Sequence, residues 1–115
     1  MQRVSWSSES IRMNKQPPYY AVIFTSVLSE AQEGYAAMAE KMEALARKQP
    51  GYLGIEHARE QVGITISYWE SLEAIAQWKA VLDHQEAQRL GREKWYQQYT
   101  TKICKVERVY SFPKK

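Results

Sequence analysis

The run Gly63–Gln88, "GITISYWESLEAIAQWKAVLDHQEAQ", decides how the chain is organised. Five of its first seven residues, Ile64, Thr65, Ile66, Tyr68 and Trp69, are β-branched or aromatic, as suits a strand. Ser71 then offers a hydroxyl to a helix start. From Leu72 onward the apolar residues recur at helical spacing, with Leu72, Ile75, Ala76, Lys79 and Leu82 near one face and Trp78 toward its edge. A strand therefore turns directly into a helix that ends near His84.

Upstream, "GYLGIEHARE" reads as another strand, and "QVG" before Ile64 is short enough for a hairpin turn, with Gly63 free to take positive φ. Further back, "SEAQEGYAAMAEKMEALARKQPG" is a long helix stopped by Pro50 and Gly51. Tyr35, Met38, Met42 and Leu45 form its core stripe. "YYAVIFTSVL" (Tyr19–Leu28) is a strand whose two faces are both largely apolar: Tyr20, Val22, Phe24, Ser26 and Leu28 on one, Tyr19, Ala21, Ile23, Thr25 and Val27 on the other. Downstream, "QEAQRLGREKWYQQY" reads as a further helix or a bent continuation of the one ending near His84, carrying Trp95, Tyr96 and Tyr99. "TKICKVERVYSF" is the last strand, with Arg108 facing inward beside Val106, Tyr110 and Phe112. Glu56 or Glu70 would pair with such an arginine.

The order β–α–β–β–α–β specifies an α+β, ferredoxin-like fold: a four-stranded antiparallel sheet with its helices on one face. The outer face of the first strand is then left to a second copy, which predicts a homodimer built through the open sheet face, a dimeric α+β barrel.

A chain of 115 residues fits one domain, which spans 17–113 between a polar leader (1–16) and a basic end (114–115). In the leader, Trp6, Ile11 and Met13 are available to dock on the body or a partner. The net charge is +3 and its acids and bases are mixed, so no basic stripe points to nucleic acid. No apolar run approaches the ~20 residues of a membrane span. The lone Cys104 forms no internal disulfide and fits a reducing cytoplasm. Two histidines, His57 and His84, with no clustered partner make no metal site. Four Trp and eight Tyr supply flat, amphipathic surface for a core, a pocket or an interface.

Taken together, "PPYYAVIFTS", "GYAAMAEKMEALARKQPGYLGIE", "GITISYWESLEAIAQWK", "H..AQ..GREKWY..Y" and "V.RVYSF" resemble the antibiotic biosynthesis monooxygenase-like family, in an uncharacterised bacterial branch. The resemblance runs from about Pro17 to Phe112. It implies a small dimeric barrel. Some relatives oxidise aromatic polyketides without metal or cofactor, and others bind and degrade haem. The haem-degrading set is an Asn on the first strand, a Trp on the second helix and a His near that helix's end. Trp78 matches the Trp. Thr25 or Ser26 stands where the Asn would be. His84 stands on the right segment but closer to Trp78, about 240° around an unbroken helix.

The resulting expectation is a monooxygenase-type protein of unknown substrate. It would hold a small aromatic ligand, polyketide-like or haem-like, between sheet and helices, with no other cofactor required. His84 is the candidate acid or base. Ser26, Tyr68, Trp69, Trp78, Trp95, Tyr99 and Arg108 are the candidate pocket residues. The alternative is a ligand-binding or stress-response dimer that keeps the fold without the chemistry.

Overall fold

A computed structural model describes residues 15–113. The leader residues Trp6, Ile11 and Met13, and the basic end 114–115, lie outside the described residues. The elements follow the expected order, β1 (Tyr19–Leu28), α1 (Tyr35–Arg47), β2 (Tyr52–Arg59), β3 (Gly63–Trp69), α2 (Leu72–Asp83), α3 (Glu86–Leu90), a π-helical turn (Gly91–Trp95) and β4 (Tyr96–Val106). The sheet is antiparallel, in the order β2-β3-β1-β4, which makes the fold ferredoxin-like.

The helices pack on the sheet face that carries Tyr20 and Val22. Trp69, Trp78, Ile75, Ala74 and Ala46 form the core there, with Leu45 and Tyr52 against it. Trp69 is fully buried and the Trp78 ring stacks on it, centroids 5.9 Å apart and planes 24° from parallel. Indoles bury more area than most side chains, so this pair contributes much of the apolar burial in the core. Ser71 caps α2 by accepting a hydrogen bond from the Ala74 amide at 3.0 Å.

Three local expectations are corrected. The buried side of α2 is centred on Ala74, Ile75 and Trp78, while Leu72, Ala76 and Lys79 face solvent. The cause is Trp69, whose indole attracts the largest apolar group on the helix. Gly63 is not at positive φ; only Gly34 and Gly51 are. Last, the final strand starts at Tyr96 and stops at Val106. Tyr and Thr in "YQQYTT" favour extended backbone over the helical period read there. Residues 107–113 have no sheet partner, so Arg108, Tyr110 and Phe112 are exposed rather than inward.

One irregularity positions the site. In the β1–β4 ladder, Val27 faces Gln98 but Leu28 faces Tyr96, so Gln97 is an extra, unpaired residue. Such a bulge shifts the side-chain alternation by one. Tyr96 and Tyr99 consequently share the helix-side face, 5.5 Å apart.

Candidate functional site

Away from the Trp69–Trp78 core, the other end of the sheet–helix space holds a different set of residues. β1 supplies Phe24 and Ser26, β2 supplies Arg59 and β4 supplies Tyr96 and Tyr99. α1 lays Tyr35 across them. Phe24 meets Tyr96 and Tyr99 at 5.5 and 5.4 Å, and Tyr35 meets Tyr96 edge-on at 5.8 Å. Trp95 closes the group from the π turn, 5.8 Å from Tyr35, its indole N–H donating to the Glu33 carbonyl at 2.9 Å. Extra turns of this kind often mark functional positions.

The polar atoms of the group lie beneath the rings. Ser26 is buried, and its Oγ accepts a 2.5 Å hydrogen bond from Arg59 Nη2. The Arg59 guanidinium also stacks on the Tyr35 ring, 5.7 Å from its centroid. Gly63 makes room for it, since a Cβ there would stand 1.9 Å from Arg59 Nη2. The glycine read as a turn residue thus serves close approach. Burial raises the Tyr96 phenol above its ordinary range, and its hydrogen bond with Tyr35 adds to this. The Arg59 charge opposes the shift. Tyr96 is therefore a neutral hydroxyl at physiological pH, a proton donor rather than a base.

The remaining sequence candidates are dispersed. Trp69 and Trp78 sit in the core. Tyr68 is on the open sheet face, edge-on to Tyr19 at 5.9 Å, and donates to Glu56 Oε1 at 2.6 Å. Its phenol is raised by burial first and by the Glu56 bond second. His84 is exposed at the end of α2, with Nδ1 2.9 Å from the Ala80 carbonyl. Arg108 lines a surface cleft of about 470 Å³ with Lys15, Glu107 and Tyr110, beyond the end of β4. A second cleft, about 320 Å³, runs between α1 and α3 and is lined by Met38, Leu90 and Trp95 with Lys41 and Lys94.

Ser26, Trp95 and Tyr99 are thus brought together, and Phe24, Tyr35, Arg59 and Tyr96 join them. Phe24 and Ser26 were legible as one face of β1. Arg59 carried no such signal. The haem-type set is not assembled, because Trp78 is engaged by Trp69 and His84 lies at the surface. These residues do not fit a haem. Among the described residues, no cluster of His, Cys, Asp or Glu can hold a metal ion, and no helix is long and apolar enough to cross a membrane.

The sequence pattern of the antibiotic biosynthesis monooxygenase family matches residues 18–90. This chain belongs to that family. The uncharacterised protein YqjZ of Bacillus subtilis is 50% identical over 99 residues, 84% of this chain and 87% of its own length. Among solved structures, SnoaB, a cofactor-independent oxygenase from Streptomyces nogalater, aligns with a TM-score of 0.62 at 15% identity, over 85% of this chain and 100% of that one. PA3566 from Pseudomonas aeruginosa aligns with a TM-score of 0.62 at 16% identity, over 84% and 100%. At such identities these two structures speak for the fold of this antibiotic biosynthesis monooxygenase family member, and its chemistry rests on its own residues.

Proposed function

We propose that this chain is a monooxygenase-type protein that takes a small electron-rich aromatic ligand between sheet and helices. The observation that carries the reading is the convergence of Phe24, Tyr35, Tyr96 and Tyr99 above Ser26 and Arg59. Flat rings stack on such walls. Membership of the antibiotic biosynthesis monooxygenase family supports the same class of chemistry. In that chemistry a phenol loses its proton and the anion reduces dioxygen. One oxygen atom enters the ring as a carbonyl, two ring hydrogens leave, and the second oxygen departs as water. The protein's share is a shaped, water-poor space.

The test is aerobic incubation with hydroxynaphthalene and anthrone probes, following oxygen uptake and quinone formation. Turnover above the uncatalysed rate, lost on removing Tyr96 and Tyr99 together, is the expected result. Binding without turnover would leave the second reading, a ligand-binding module. What favours that reading is the position of His84, exposed at the end of α2 and away from the aromatic cluster.

We infer further that the open sheet face, with Ile23, Val27, Ile64 and Ile66, meets a second copy. Those residues are apolar and only partly covered in one chain. Sedimentation should give a dimer at micromolar concentration, and a monomer would refute the interface.

A further inference from the structure

Among the described residues Arg59 is the one guanidinium set between sheet and helices near the aromatic cluster, and the partners it has there are neutral. It donates to the Ser26 hydroxyl and lies on the face of Tyr35. No described carboxylate forms an ion pair with it; Glu43, on α1, pairs instead with Arg47 and His57. A guanidinium has five N–H donors, and the Ser26 bond uses one. A partly buried cation that lacks a carboxylate is a costly arrangement for the fold alone. The chain nevertheless accommodates it, with a glycine at position 63 where any side chain would strike the guanidinium.

The geometry points to Arg59 as the residue that binds a single anionic oxygen, phenolate or carboxylate, on the aromatic ligand. This rests on the ligand site proposed above and adds the charge its occupant must carry. Charge-assisted bonds from arginine to such an oxygen are short and directional. Ser26 Oγ occupies the donor in the meantime and can be displaced without leaving a charge unpaired. The Tyr35 ring on which Arg59 lies also meets Tyr96 edge-on at 5.8 Å, which sets the guanidinium beside the aromatic walls. A phenol bound there would ionise more readily than in water, because the cation favours its charged form. Arg59 would then act as a positioning and ionising group, with bulk water taking the proton.

The test uses the full chain, three naphthalene probes and the intrinsic tryptophan fluorescence. The probes are 2-naphthoate, its neutral isostere 2-naphthamide, and 2-naphthol. The wild type should bind 2-naphthoate at least tenfold more tightly than the amide. Arg59→Met should abolish that preference while changing amide affinity by less than about threefold, and Arg59→Lys should restore part of it. Ser26→Ala frees the donor that the serine holds and should bind 2-naphthoate more tightly than the wild type. A shift of bound 2-naphthol to its ionised absorption band near neutral pH, absent in Arg59→Met, identifies phenolate as the preferred oxygen. Tight 2-naphthoate without that shift identifies carboxylate. If amide and acid bind equally well to the wild type, the charge role is overturned and the aromatic-ligand reading survives. If none of the probes binds, both fall. The wild-type comparison needs no variant to fold, and far-ultraviolet circular dichroism checks the variants that are used.

Discussion

Arg59 lies flat over Gly63, with its Nη2, Cζ and Nε all within 2.5 Å of where a Cβ on that residue would sit. The pair is one device: a long cation on one strand and an absent side chain on the next. Gly63→Ala separates the two roles. A strand gains a little from losing a glycine, and the flexible arginine, not the backbone, gives way. The expected outcome is a melting temperature within a few degrees of wild type, together with a loss of 2-naphthoate affinity close to that of Arg59→Met. Thermal melts and fluorescence titration check both.

The Trp69–Trp78 stack predicts a different behaviour. Trp78 is nine-tenths buried and Trp69 completely so. Trp78→Ala removes the larger part of the α2 contact with β3 and leaves a cavity, at a cost of about 3–5 kcal/mol. Urea denaturation should show a large drop in midpoint with little change in slope. A loss below about 1 kcal/mol would mean that the indole serves a ligand site and not the core.

His84→Ala should be nearly silent. The ring is exposed and bonds only to the Ala80 carbonyl, so the loss is a helix-end contact of about 0.5–1 kcal/mol. Probe affinities should stay within threefold. A tenfold loss of turnover or binding would restore His84 to the site.

The tyrosines set an alkaline limit. Burial raises Tyr96 and Tyr68 above the ordinary 10.0, helped by the Tyr35 and Glu56 hydrogen bonds respectively. The folded chain therefore keeps protons that the unfolded chain releases. The stability this confers is complete below pH ~10 and declines as the pH rises above it. Ultraviolet titration should show these two phenols ionising after the exposed ones, and chemical denaturation should give falling stability only above pH ~10. A flat profile through that range would show that neither phenol is shielded.

The fold was legible because its signals are periodic. The two apolar faces of β1, the stripe Tyr35–Met38–Met42–Leu45 and the cap at Ser71 each follow from spacing or residue type, and each stands in the structure. The site was legible only where it lay on such a period, at Ser26 and Phe24. Tyr96 and Tyr99 share a face because of one unpaired residue, Gln97, and a one-residue slip leaves no periodic trace. Arg59 could not be read because an arginine ending a strand is ordinary. Its distinction is the hydrogen atom that Gly63 carries in place of a side chain.

The pairing of β1 with β4 has a consequence for the order of events in synthesis. β1 precedes the other described strands in the chain and lies between β3 and β4, with Tyr19 facing Val106. Its second edge therefore stays open until β4 has been translated. Closing that distance costs chain entropy before any contact repays it, and topologies of this kind fold slowly. Throughout that interval an apolar strand keeps one row of unpaired N–H and C=O groups, a template for pairing with another chain, and native closure competes with self-association until β4 covers it.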